Sequence, residues 1–212
     1  MKFSFFMMPC HDPRENPALA FQRDIELIHL ADKLGYDEFY IGEHHSGGWE
    51  TIPAPEMALS MAAANARRIK LGTSVLSAPF HHPFHLAERM CFLDHLTFGR
   101  AILGVGPCSL VTDKMLFGMD DETLYGMLHE AIDVIVRLLE AEEPISHEGR
   151  FCEGFRMTAL THACLRHWGR RRKASSEGTR GVGAGRCLSG YGGLIAERCC
   201  WSRPTTGRCC TL

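Results

Sequence analysis

The chain has 212 residues, 45% of them hydrophobic and 23% charged, and its formal net charge is −2. This composition is ordinary for a soluble globular protein with one domain or two small ones. No apolar run reaches the roughly 20 residues of a membrane-spanning helix and no signal peptide follows Met1, so we expect a cytoplasmic protein without a membrane partner.

Apolar runs and helical periodicities alternate along the first 160 residues. The run 3–8 predicts a buried strand, and the spacing of Phe21, Ile25, Ile28 and Ala31 predicts a helix that Gly35 ends. The same reading predicts strands at 38–42, 69–77 and 101–106, helices that begin at Pro55 and Pro83, and a helix over 121–140.

Strands that alternate with helices at this spacing predict an α/β fold with a parallel sheet, either doubly wound or closed into a barrel. The first strand is followed by Pro9, Cys10 and His11 instead of the glycine-rich turn of a dinucleotide-binding fold. The sequence therefore favours a barrel.

The composition changes after Leu160. Residues 1–160 carry 13 Lys and Arg against 23 Asp and Glu, whereas residues 161–212 carry 10 against 2, together with six of the ten cysteines. The second segment has no apolar periodicity, so we expect a poorly ordered tail that adds no further strand-helix units to the partial barrel. Out-of-frame translation is the favoured explanation of this shift, and a nucleic-acid-binding or metal-binding tail is the alternative.

The densest polar cluster is Glu43, His44 and His45, directly after the second predicted strand. In parallel α/β folds the loops after the strands meet at one edge and carry the active site. A histidine there can give or take a proton near neutral pH. A polar surface loop explains the same residues equally well.

A second histidine group, His81, His82 and His85, follows the third strand and should face the same edge. Five histidines on two neighbouring loops suggest zinc, but adjacent side chains on an extended chain point apart. We therefore expect no metal, and we expect His81 and His82 to cap or pack the third helix. After the fourth strand, Gly106 and Pro107 either let a flat ring approach or form a tight turn.

Several motifs occur in the order and spacing of one family. They are Gly35-Tyr36-Asp37-Glu38, Gly42-Glu43-His44-His45, Arg68-Ile69-Lys70-Leu71-Gly72-Thr73, His82-Pro83, Leu93-Asp94-His95-Leu96-Thr97-Phe98-Gly99-Arg100 and Gly104-Val105-Gly106-Pro107 up to Asp113. Over about residues 1–157 the chain resembles the luciferase-like monooxygenases, in particular the limonene 1,2-monooxygenase group.

This resemblance implies the N-terminal half of a TIM-type (β/α)8 barrel over residues 1–160, followed by the unrelated tail 161–212. It also implies a monooxygenase that uses O2 and reduced FMN, supplied by a separate flavin reductase, on a small organic substrate such as a terpene. The family is typically dimeric, so a homodimer or heterodimer is implied, and no nucleic-acid partner is.

The resemblance assigns roles residue by residue. It makes His44 the catalytic histidine, with Glu43 and His45 orienting it or shaping the pocket. It sets Ser74 and Val75, at a non-proline cis peptide, under the flavin ring.

By the same resemblance Gly106 and Pro107 lie near the ring. Cys108 and Tyr125 depart from the family pattern, which usually has glycine and arginine there, and the loops that complete the phosphate site find no match after Leu160. The remaining alternatives are a non-catalytic fragment or partner subunit and, less favoured, a metal-dependent barrel hydrolase.

Overall fold

Strands and helices alternate in the computed structural model, which describes residues 1–152, 154–156 and 194–196. The strands are β1 (Ser4–Met7), β2 (Glu38–Ile41), β3 (Lys70–Thr73), β4 (Leu76–Ser77), β5 (Ala101–Gly106), β6 (Ser146–His147), β7 (Phe155–Arg156) and β8 (Leu194–Ala196). The helices are α1 (Pro17–Leu34), α2 (Pro55–Ala63), α3 (Pro83–Leu96), α4 (Val111–Phe117) and α5 (Asp121–Glu140), with a short 3-10 turn at Ala78–Phe80.

The predicted parallel sheet is confirmed. β1 pairs with β2, β2 with β3, and both β3 and β4 with β5, all in parallel. All four parallel pairings bring the carboxyl ends of these strands to the same edge of the sheet, where the following loops meet.

The helix boundaries follow from local capping. The Asn16 side chain accepts a hydrogen bond from the Ala18 N–H at the start of α1, and Gly35 ends that helix with a φ of 86°. His82 and Asp120 cap α3 and α5 in the same way, so the helix starts predicted at Pro83 and at residue 121 are correct.

The third predicted strand is divided in two. The run 69–77 forms β3 and β4, which lie along successive parts of β5, and the Ser74–Val75 peptide bond between them is cis. The cis bond implied by the resemblance is therefore present. A single strand was the wrong expectation, because these two residues interrupt the regular pairing with β5.

The first strand is less buried than its apolar sequence predicts. Phe3, Phe6 and Met8 are exposed, while Met7 belongs to the core. β1 has one partner, β2, among the described residues, so its side chains have a neighbouring strand on one side only.

The core lies between the sheet and the helices that follow its strands. Phe39, Ile41 and Leu71 from the sheet and Leu86 and Leu128 from α3 and α5 belong to one buried cluster. No helix in the described ranges combines the length and the hydropathy that a membrane crossing needs. This core fixes the strand ends relative to each other and so positions the loops that follow.

Most of the predicted tail, 161–212, lies outside the described residues. Its described part is β8, which pairs antiparallel with β5. β6 and β7 form a separate antiparallel pair after α5.

Candidate active site

The loop after β2 lies against the interruption between β3 and β4. A Cβ atom on Gly42 would be 3.2 Å from the backbone oxygen of Ser74, and the Glu43 N–H donates to the Val75 carbonyl at 3.2 Å. Ser77 pairs with Gly106 on β5, and a Cβ on Gly106 would be 2.6 Å from Val75 Cγ2. The sequence-predicted residues of three strand ends are therefore neighbours.

His44 is held by a buried acid from α4. Its Nδ1 lies 3.3 Å from Asp113 Oδ2 and 4.0 Å from Glu50 Oε2, and its side chain is largely buried. A carboxylate only accepts hydrogen bonds, so in the neutral ring Nδ1 carries the proton and Nε2 keeps the free electron pair. His44 is thus oriented as a proton acceptor at Nε2.

Asp113 organises the loop that carries His44. It is fully buried and accepts hydrogen bonds from the His45 N–H at 3.2 Å and from the Ser46 hydroxyl at 2.5 Å. In the sequence Asp113 stands only as the end of a family motif, and it was not predicted as a site residue. The sequence signal that could have identified it is its position, an acidic residue in the first turn of α4, directly after the loop that follows β5.

Glu43 and His45 form a separate network with His81. Glu43 Oε1 accepts hydrogen bonds from His45 Nε2 and His81 Nε2, both at 2.7 Å, and Glu43 Oε2 accepts from the Ser77 N–H at 2.9 Å. These bonds tie the loop after β2 to β4. Both histidines were expected to cap or pack the third helix. His82 caps α3, and His81 contacts α3 through Arg89, at 3.2 Å, in addition to its bond to Glu43.

The charges in this network stabilise each other. Burial raises the pKa of Glu43, but hydrogen bonds from His45, from His81 and from the Ser77 N–H outweigh it and lower the pKa to about 2. The hydrogen bond to Glu43 raises the pKa of His45 above its ordinary value, against the opposing effect of burial. The pair therefore favours an ionised Glu43 and a protonated His45.

Glu43, His45 and His81 also have the spacing of a metal site, since their ligand atoms lie within 4.8 Å of one another. His81 Nδ1 accepts from Arg89 Nη2 at 3.2 Å, because a guanidinium has donors only. The His81 Nε2 proton then faces Glu43. Hydrogen bonding thus explains this cluster without a cation.

Aromatic rings cover the His45 side of the loop. Phe80 and Phe117 stack with centroids 4.1 Å apart, and His45 meets both rings edge-on. Phe80 and Phe117 give the region beside the Glu43 network an apolar wall, and the His45 ring packs against it.

The β5 loop contributes Pro107 and Cys108, both buried. Cys108 has a φ of 73°, a conformation that favours glycine, and its Sγ lies 3.9 Å from Asp113 Oδ2. Burial raises the pKa of the Cys108 thiol. The backbone conformation explains why glycine suits this position in the resembled family.

Comparisons with known proteins identify the family to which the chain is similar. A family model described as luciferase-like monooxygenase matches residues 1–167. The chain is 46% identical over 146 residues to 4-hydroxyprotoasukamycin monooxygenase of Streptomyces nodosus subsp. asukaensis, covering 69% of this chain and 39% of that protein. It is 45% identical over 140 residues to limonene 1,2-monooxygenase of Rhodococcus erythropolis, covering 66% and 36%.

Solved structures give the same fold. The oxygenating constituent of 3,6-diketocamphane monooxygenase from Pseudomonas putida, solved in complex with FMN, superposes with a TM-score of 0.69 at 27% identity, covering 74% of this chain and 44% of that one. The monooxygenase RslO1 from Streptomyces bottropensis gives 0.70 at 29% identity, with 76% and 49% covered. The chain thus spans less than half the length of the proteins that it matches.

Proposed function

The chain belongs to the luciferase-like monooxygenase family, and from that membership we propose that residues 1–160 form the ring-binding and proton-transfer half of an FMN-dependent monooxygenase acting on a small apolar organic substrate. One observation carries the proposal: His44, held at Nδ1 by buried Asp113, lies on the loop beside Ser74, Val75 and Gly106.

The described residues fit the ring end of a flavin. Ser74 and Val75 are only half-buried at the sheet edge, and Gly42 and Gly106 are small enough for the neighbouring strands to close around them. We propose that Ser74, Val75, Gly106 and Pro107 hold the ring there. Reduced FMN, when bound, supplies the electrons that activate O2 for insertion of one oxygen atom into the substrate.

In this proposal each side chain has a distinct task. His44 takes up or returns a proton at Nε2, while Asp113 fixes the tautomer and the orientation of its ring. Glu43 and His45 hold the loop against β4 through His81. Phe80 and Phe117 exclude water and offer an apolar surface to the substrate.

We further propose that a separate flavin reductase supplies reduced FMN to a cytoplasmic, dimeric enzyme. Relatives support the first point, because one, 30% identical, is described as the oxygenase component of flavin-dependent trigonelline monooxygenase of Acinetobacter baylyi. The match to FMN-bound 3,6-diketocamphane monooxygenase supports the choice of FMN.

A second candidate function is a non-catalytic partner subunit. It is favoured by the matched length, 36 to 39% of two relatives, and by the exposed Phe6 on β1 with Phe3 and Met8 at its two ends. Such a subunit would pack on a homologue and leave turnover to it.

The experiment is an anaerobic titration of the 212-residue protein with reduced FMN, followed by O2 and either limonene or a bicyclic ketone. Product and released peroxide are measured together. His44→Ala should abolish product and leave FMN binding intact, whereas His85→Ala, at an exposed histidine on α3, should change neither. Full product formation by His44→Ala refutes the assigned role, and no product from the parent protein favours the partner subunit.

A further inference from the structure

A second group of metal-binding side chain types lies on α5 and the β6–β7 hairpin. Glu130, His147 and Cys152 place one ligand atom each within 4.8 Å of one another. His147 Nε2 lies 3.2 Å from Glu130 Oε1, and both side chains are mostly buried. None of these residues takes part in the His44 site or in the Glu43 network described above.

The carboxylate of Glu130 is fixed in place by the hairpin backbone. Its Oε2 accepts hydrogen bonds from the N–H groups of Arg150 and Phe151 at 3.0 and 3.1 Å, and its Oε1 accepts from the Cys152 N–H at 2.9 Å. Such hydrogen bonds orient a carboxylate ligand and lower the cost of assembling a site. Gly149 allows the close approach, because a Cβ there would overlap Glu130 Oε1.

His82 supports Cys152 from the start of α3. His82 Nδ1 accepts the Phe84 N–H at 3.2 Å as the helix cap, so its proton sits on Nε2, which lies 3.6 Å from Cys152 Sγ. A proton donor at that distance stabilises a thiolate. His82 is therefore a supporting residue for Cys152 and not itself a ligand.

We propose that Glu130 Oε1, His147 Nε2 and Cys152 Sγ bind one Zn²⁺, with water as the fourth ligand. Thiolate, imidazole and carboxylate are the ligands that zinc takes in proteins. Zinc bonds of about 2.0–2.3 Å in a tetrahedron put ligand atoms roughly 3.3–3.7 Å apart. The distance of 3.2 Å between His147 Nε2 and Glu130 Oε1 is close to that spacing, and Cys152 Sγ lies within 4.8 Å of both atoms. The ion would join the β6–β7 hairpin to α5 and, through His82, to α3.

The proton balance of binding can be written out. Cys152 loses its thiol proton to solvent, and the proton on His147 Nε2 moves to Nδ1, so one proton is released for each zinc ion bound. Arg137 Nη1, which lies 3.4 Å from His147 Nδ1 on the exposed side, then turns away. The equivalent change at His81 is opposed, because Arg89 is fixed there by an ion pair with Glu56 at 3.0 Å.

The test uses the full 212-residue chain with its six tail cysteines changed to serine, because those thiols could also bind metal. They are Cys164, Cys187, Cys199, Cys200, Cys209 and Cys210. Zn²⁺ is titrated against a chromophoric chelator, and Co²⁺ binding is followed through its thiolate charge-transfer absorption. We expect one ion per chain and release of one proton.

Cys152→Ser, which changes one atom, and His147→Ala should each weaken zinc binding by at least roughly 10-fold. Cys10→Ser and His85→Ala are the controls, since both residues are exposed, and should bind as the parent does. Arg137→Gln should bind zinc at least as tightly, because it removes the donor that faces Nδ1. Failure of the parent to bind one equivalent, equal binding by Cys152→Ser, or binding that requires the tail cysteines would overturn the proposal.

Discussion

The fully buried carboxylate of Asp113 and the imidazole of His44 meet at 3.3 Å, although 69 residues separate them in the sequence. The contact joins the start of α4 to the loop after β2. It fixes which ring nitrogen of His44 carries the proton, and that choice determines whether the free nitrogen can act as a base.

Changing Asp113 to asparagine should reverse the tautomer of His44. The Ser46 hydroxyl donates to Oδ1 and the His45 N–H is shared by both oxygens, so the amide oxygen belongs at the Oδ1 position and the amide NH2 faces His44 Nδ1. His44 then carries its proton on Nε2 and cannot accept another. ¹⁵N NMR of the imidazole should show the exchange of tautomers, and any oxygenation should fall by roughly 10²- to 10⁴-fold.

The matched control is Asp133→Asn, at an exposed position of α5. It should leave the imidazole spectrum and turnover unchanged. An unchanged His44 tautomer in Asp113→Asn would refute the orienting role. Asp113→Ala tests stability separately, because it leaves the His45 N–H without its acceptor and should cost about 1–3 kcal/mol.

The sequence predicted the residues next to strand ends but not their partners across the site. His44 and Glu43 follow directly from the end of an apolar run, and the opposite directions of His44 and His45 follow from the alternation of an extended chain. Asp113 and the contact between Glu43 and His81 depend on how loops fold over the sheet edge, and no periodicity encodes that. The residue pattern of 69–77, a run of apolar and small residues, likewise does not predict its division into β3 and β4.

The free energy of unfolding should depend on pH because of the Glu43–His45 pair. Glu43 has a folded-state pKa of about 2 against an ordinary 4.5, so its contribution is complete above pH 4.5 and is lost as the pH falls toward 2. The pKa of His45 is raised from 6.5, so its contribution is complete below pH 6.5 and is lost at higher pH as the ring deprotonates.

Glu43→Gln should therefore destabilise the protein most between pH 4.5 and 6.5, where both groups contribute fully. The expected loss is about 3 kcal/mol, because the pKa of Glu43 is lowered on folding. Urea unfolding at pH 3, 5.5 and 9 measures it, with Glu143→Gln at an exposed position as the control. A loss of stability that is the same at all three values would contradict the pairing.

The close contact between Gly106 and Val75 should make Gly106→Ala destabilising. The added Cβ would sit 2.6 Å from Val75 Cγ2, and the stiff valine side chain cannot turn aside without strain. We expect a loss of about 1–3 kcal/mol and weaker flavin binding. The double variant Gly106→Ala/Val75→Ala lacks the obstructing methyl groups, so part of the stability should return. Thermal unfolding measures this. A double variant that is less stable than both single variants would argue against this contact.

The distribution of flavin-binding groups along the chain predicts how affinity depends on the phosphate of FMN. Residues 1–160 supply the ring-side residues of the proposal, whereas a phosphate dianion needs several backbone N–H or cationic donors, which the family resemblance assigns to later loops. The 212-residue chain should therefore bind reduced FMN and reduced riboflavin with similar, weak affinity.

A fusion protein tests the missing phosphate site. It joins residues 1–160 to the part of Rhodococcus erythropolis limonene 1,2-monooxygenase that follows its matched region. The fusion should bind FMN at least roughly 100-fold more tightly than riboflavin, because a charge-assisted phosphate site contributes several hydrogen bonds of about 1.5–3 kcal/mol each. Anaerobic fluorescence titration of both proteins with both flavins measures this difference. A strong preference for FMN in the 212-residue chain itself would show that its own residues complete the phosphate site.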